Sequence, residues 1–187
     1  MKKIIILITV CVFLMTGAVT AYGGEDAPLK VKNYANSVLI KYGTDPVIVN
    51  AVKEENAKKK TLETINELDQ KWMNTIGTDD FMNAMMSSEC SQHLLGIKKK
   101  NDFYEEIFVM DNQGANVAMT DKTSDYWQGD EAKFTNCYKG GAGEVYISDV
   151  NFDDSTQAYL TQISVPVMDD GEAIGVVLFG INVDKLN

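Results

Sequence analysis

ISVPVMDDGEAIGVVLFGINVDKL, residues Ile163 to Leu186, decides the fold. Two apolar runs flank Asp169-Asp170-Gly171, a trio suited to the positive φ angles of a tight hairpin turn. The stretch reads as two antiparallel strands, Ala158 to Met168 and Glu172 to Val183, the second apolar almost throughout. Phe103 to Met110 and Ala115 to Thr120 also alternate with period two, around the turn Asp111-Asn112-Gln113-Gly114. Between the two hairpins come a short helix (Glu131 to Tyr138), a run rich in glycine (Gly140 to Gly143) and a strand (Glu144 to Asp149). Strands joined by such short turns pair antiparallel, because a parallel crossover needs a dozen or more residues.

The residues before the sheet are helical. Leu29, Val31, Tyr34, Val38 and Leu39 mark a modest first helix. Asp45 is a good N-cap, and Pro46 suits the first helical position. From there the apolar positions Val47, Ile48, Ala51, Val52, Leu62, Ile65, Leu68, Trp72, Met73 and Ile76 predict one long helix over Pro46–Ile76. At the helical rise it would be a rod on the order of 45 Å long, covering one face of the sheet. Leu62, Ile65, Trp72, Met73 and Ile76 are expected to pack on the sheet. Val47, Ile48, Ala51 and Val52 are expected beyond its edge, under the first helix or a second copy of the chain. Shorter helices follow at Phe81–Met86 and Cys90–Ile97. The expected class is α+β: a five-stranded antiparallel sheet covered by a long N-terminal helix.

Composition narrows the function. The 187 residues carry 17 basic side chains, all of them Lys, against 27 acids, for a net charge of −10. An acidic chain without arginine is a poor nucleic-acid binder. It also lacks the bidentate clamp for a carboxylate ligand. With one histidine, His93, and neither a nucleophile elbow nor a phosphate loop, nothing marks an enzyme, a metal site or a cofactor. Asp149 to Asp154 begins like a calcium loop but has Asp154 and Leu160 where that loop needs Gly and Glu.

Lys2 and Lys3 precede a charge-free run from Ile4 to Ala21, the pattern of a secretory signal with a cut before Tyr22. An uncleaved membrane anchor is the rival reading. The expected organisation is a signal at 1–21, an N-terminal helix at 22–43 and one domain at 44–187, with its long helix at 46–76 and its sheet at 103–184. An exported, periplasmic location permits a disulfide between Cys90 and Cys137; two separate buried thiols are the alternative.

Residues 45–186 resemble an extracytoplasmic Cache sensor domain, the PDC-like, PAS-like fold of bacterial receptors. The carriers are DPVIVNAV (Asp45 to Val52), IFVMDNQGANVAMTD (Ile107 to Asp121), SDYWQGDE (Ser124 to Glu131), GGAGEVYISD (Gly140 to Asp149) and the closing hairpin. The resemblance implies a sensor that binds a small molecule between the sheet and the 124–138 segment. The family usually continues into an output domain. Here the chain stops at Asn187, so a separate partner is implied, a membrane histidine kinase or chemoreceptor. Amino-acid-binding members carry an aromatic-and-arginine motif on the short helix and an aspartate ending the last strand. This chain supplies Tyr126, Trp127, Lys133 and Phe134 without arginine, and Asn182 in place of aspartate. An α-amino acid ligand is therefore not implied; neutral, small anionic or aromatic-compatible ligands stay open.

The candidate binding residues are Tyr126 and Trp127 to stack a ligand, Lys133 to meet a negative group, and Tyr146, Ser148, Tyr159 and Asn182 as polar tips. Each has a plainer reading as a core residue satisfied by backbone. A sensor signalling through a partner leads. A periplasmic solute carrier without a signalling role is the alternative, and a homodimer through the N-terminal helices is a further expectation.

Overall fold

A computed structural model describes residues 25–153 and 157–186. The expected signal segment at 1–21 and its expected cut before Tyr22 lie outside the described residues. No helix among the described residues is long and apolar enough to cross a membrane.

Six helices and six strands form among the described residues. The helices are α1 (Leu29–Ser37), α2 (Pro46–Ala57), α3 (Leu62–Asn74), α4 (Asp80–Met86), α5 (Glu89–Lys98) and α6 (Ala132–Tyr138). A 3-10 stretch, Leu39–Thr44, joins α1 to α2. The strands are β1 (Tyr104–Met110), β2 (Asn116–Met119), β3 (Tyr146–Ile147), β4 (Asn151–Asp153), β5 (Ala158–Asp169) and β6 (Glu172–Asn182). The sheet runs β2-β1-β6-β5-β3 with every pairing antiparallel, and β4 adds to β5 as a strand beyond the expected five. Asp170 (φ 48°) and Gly171 (φ 87°) turn the closing hairpin as its sequence requires.

Period two sorts the strand residues onto two faces. Ile107 and Val109 of β1, Ile163, Val165 and Val167 of β5, and Val177, Phe179 and Ile181 of β6 face one way. There they bury Val31, Ala35, Leu39, Ile48, Val52, Leu94 and Ile97 from α1, the 3-10 stretch, α2 and α5. Phe108 and Met110 of β1 and Val176 and Leu178 of β6 face the other way, against Ile65 and Trp72 of α3, Met82 of α4, Tyr126, and Phe134 and Cys137 of α6.

The expected rod over 46–76 is two helices. α2 ends at Lys58, Lys59 takes a left-handed φ of 50°, and Thr61 caps α3 by accepting from the Thr64 N–H at 3.2 Å. The stretch Lys53–Lys60 offers few apolar groups to hold a continuous helix, so the chain is free to turn there. The two halves then serve opposite faces, and the expected packing holds in part: Ile48 and Val52 do pack with Val31, Ala35 and Leu39 of the first helical stretch, but on the sheet and not beyond it. Ile48 and Val52, placed by the sequence beyond the sheet edge, are fully buried on it. Of the set assigned to the core, Ile65 and Trp72 are buried, whereas Leu62, Met73 and Ile76 are exposed.

Of the two readings open for Cys90 and Cys137, the structure has the separate buried thiols and not the bridge. Both thiols are free and buried, Cys90 among the α1–α2–α5 core and Cys137 in the core across the sheet. A disulfide spans Cα atoms only about 4.4–6.8 Å apart, and the sheet stands between these two.

Candidate functional site

The second face of the sheet is only half covered. β5 has 12 residues and extends on the order of 40 Å. α6 has seven and extends about 10 Å. α6 and the 124–131 segment therefore cap one end of the face, over Phe108, Leu178 and Ser164. At the other end the register lines up Glu106 of β1, Gly180 of β6 and Gln162 of β5 in one row, with Leu160 and Asn182 paired in the next. Ser148 joins the first row, its N–H donating to the Gln162 carbonyl and its Oγ accepting from the Gln162 N–H, both at 2.9 Å.

This uncovered end is the floor of a cleft of about 510 Å³. Glu105, Glu106, Lys98, Asp121, Ser148, Gln162 and Gly180 supply polar and backbone walls; Leu160 and Phe152 supply apolar ones. That size and mixture suit a small molecule. A second concavity of about 500 Å³ lies between α2, α4 and α5; of its charged residues Glu54, Glu55, Lys58 and Glu89, Glu55 and Lys58 pair with each other at 2.6 Å.

The carboxyl of Glu106 sits half-buried on the cleft floor. Burial raises its pKa above the usual glutamate value, opposed by the field of Lys133 and the Gln162 amide. Gln162 Nε2 donates to Glu106 Oε1 over a long 3.4 Å. The other acids have partners. Asp121 pairs with Lys98 at 2.7 Å, and Glu105 meets Asn182 Nδ2 at 3.1 Å and Lys185 Nζ at 3.4 Å. Among the described residues, no lysine lies within ion-pair distance of Glu106.

The sequence-based candidates fall into two groups, with Lys133 and Tyr159 standing apart. Tyr126 and Trp127 fasten the cover. Tyr126 is wholly buried against Trp72 and Phe81, and its hydroxyl accepts from Lys60 Nζ at 2.7 Å. The backbone N–H groups of Tyr126 and Trp127 both donate to Asp69 Oδ1, and the Trp127 indole N–H donates to the Gln113 carbonyl at 2.8 Å. Tyr146, Ser148 and Asn182 point to the half-covered face: Ser148 lines the cleft, Tyr146 lies under α6, and Asn182 holds Glu105. Lys133 stands at the border, paired with Glu131 at 3.0 Å and set over the Phe108 ring. Tyr159 belongs to neither group. It pairs with Phe152 in the register, is half exposed and meets that ring edge-on.

Glu106, Gln162 and Gly180 escaped the reading of the sequence. Their signal was available: a charged residue and a glycine interrupt two apolar strands, YEEIFVM and EAIGVVLFGIN, at positions on the half-covered face.

No family model matches the sequence, and no curated protein does. Solved structures are similar at a low level. The ligand-binding domain of a Campylobacter jejuni chemoreceptor in complex with 4-methylisoleucine is 14% identical with a TM-score of 0.41, over 84% of this chain and 60% of that one. The sensor domain of the V. cholerae histidine kinase DctB is 11% identical with a TM-score of 0.42, over 84% and 55%. The ligand-binding domain of a Pseudomonas aeruginosa amino acid chemoreceptor in complex with GABA is 11% identical with a TM-score of 0.38, over 75% and 58%. This chain thus spans less than two thirds of each. All three are sensor or ligand-binding domains. At these scores the similarity assigns no residue a role.

Proposed function

We propose that this protein is an exported small-molecule-sensing domain, that its ligand occupies the cleft on the half-covered face, and that a separate membrane partner receives the signal. The observation that carries this reading is the cleft itself: a concavity of ligand size with a half-buried carboxyl on its floor that no lysine among the described residues pairs. The site moves from the 124–138 interface, which side chains fill, to the open end beside it. α6 and Lys133 border that end, so a ligand there would press on the segment the sequence singled out. The partner proposed is a histidine kinase or chemoreceptor, as the sequence resemblance implies.

A thermal-shift screen of small metabolites tests the reading. A ligand at a hundred times its dissociation constant raises stability by about 2.7 kcal/mol. Leu160→Trp, which fills the cleft, should abolish the shift. A shift that survives Leu160→Trp places the ligand elsewhere. Sedimentation with and without ligand checks whether two copies pair through the N-terminal helices. A solute carrier without a signalling role would bind in the same cleft but fail to alter the activity of a co-expressed kinase or receptor.

A further inference from the structure

Resting on that reading, we infer that the cleft recognises a protonated amine, whose ammonium group donates to the Glu106 carboxylate and whose carbon body lies along Leu160 and Phe152. Four carboxyl-bearing residues, Glu105, Glu106, Asp121 and Asp153, line the cleft against one lysine, Lys98. Number alone would prove little, since acids on a surface are usually solvated or paired. The distinction lies in Glu106. Lys98 is engaged by Asp121 at 2.7 Å, and Lys185 leans on Glu105. Lys133, whose field reaches Glu106, is bound to Glu131 and seated over the Phe108 ring. Glu106 is left with one long contact to the Gln162 amide.

The backbone maintains this arrangement. Gly180 pairs with Glu106 across the sheet, and a Cβ there would stand 2.7 Å from Glu106 Cγ. Glycine lets the glutamate lie flat across β6 with its carboxyl on the open floor. A half-buried carboxylate with one long hydrogen bond is stabilised by a cation that also donates hydrogen bonds. An ammonium does both. An anionic ligand would meet the cleft's carboxylates, and Lys133, the group the sequence offered to such a ligand, is already spent. The apolar Leu160 and Phe152 favour a carbon body over a bare inorganic cation.

Isothermal titration of the protein at pH 7 with phenethylamine, its neutral counterpart 2-phenylethanol and the anion phenylacetate tests the inference. The expected result is binding of the amine alone. Glu106→Gln should weaken it by about 10- to 100-fold, the range of a hydrogen bond to a charged group, and circular dichroism should confirm an intact fold. Lowering the pH should weaken amine binding in the wild type as Glu106 takes up its proton. The variant should lose that dependence, although Lys133, Gln162, Asp121 and Lys98 still face the site. Binding of the alcohol or the anion, blocked by Leu160→Trp but indifferent to Glu106→Gln, would overturn the amine and leave the cleft as the ligand site. Amine binding unaffected by Leu160→Trp would overturn both readings. Absence of binding by all three probes would overturn the amine assignment.

Discussion

Glu106 sets a pH signature. Burial raises its pKa above that of an unfolded glutamate, so the folded state binds its proton more tightly. Below the ordinary glutamate range both states are protonated and the group costs nothing. As pH rises through that range and then through the raised value, ionisation penalises the folded state and stability falls. Glu106→Gln removes the penalty. The variant should therefore melt above the wild type at neutral pH, with the difference vanishing under acid. Melting curves across a pH series check this, and a constant offset would refute it. Tyr126 presents the opposite case, a polar atom already satisfied. Tyr126→Phe keeps the ring beneath Lys60 but removes the hydroxyl that accepts from it, and should cost about 1.5–3 kcal/mol in a denaturant titration. Sequence identified Tyr126 as special but gave no means of telling a stacking platform from a fastening. That difference rests on Lys60, which is distant in the chain.

The break between α2 and α3 changes which helix half matters. Val52 lies on the sheet and Met73 faces out, so Val52→Asp should cost about 3 kcal/mol or more, and Met73→Asp within about 0.5 kcal/mol of nothing. Urea midpoints decide between this and the continuous rod, for which the order would be closer to the reverse. Lys59 gives a second handle. Its left-handed φ of 50° disfavours a residue with a Cβ. Lys59→Gly should hold or raise stability by up to about 1 kcal/mol, whereas in a continuous helix it would lower it by a similar amount. Five of the strands, the closing turn and the Asp45–Pro46 helix start were legible because each is fixed by neighbours in sequence: alternation, a residue that tolerates positive φ, a side chain that caps its own helix; the three-residue β4, Asn151–Asp153, has no such pattern. The break was not. Apolar spacing continued across it, and only the presence of two faces needing cover tells α3 to leave the first.

At the scale of the molecule, the cleft follows from a mismatch of lengths. A seven-residue α6 cannot roof strands of 11 and 12 residues. Element lengths were in the sequence, but where a short helix sits along a long strand depends on tertiary packing. The sheet also divides the interior into two compartments, each with one thiol. Burial pushes both Cys90 and Cys137 up to about 12, so neither forms appreciable thiolate near neutrality, and an alkylating reagent must wait for its compartment to open. The pair can thus act as two stopwatches in one chain. Timed iodoacetamide pulses in mild urea, read by peptide mass mapping, should modify Cys137 first, because α6 is a single short layer while Cys90 lies in the core shared by α1, α2 and α5. Equal rates would instead show that the whole fold lifts as one unit, with no independent release of the side that carries the cleft.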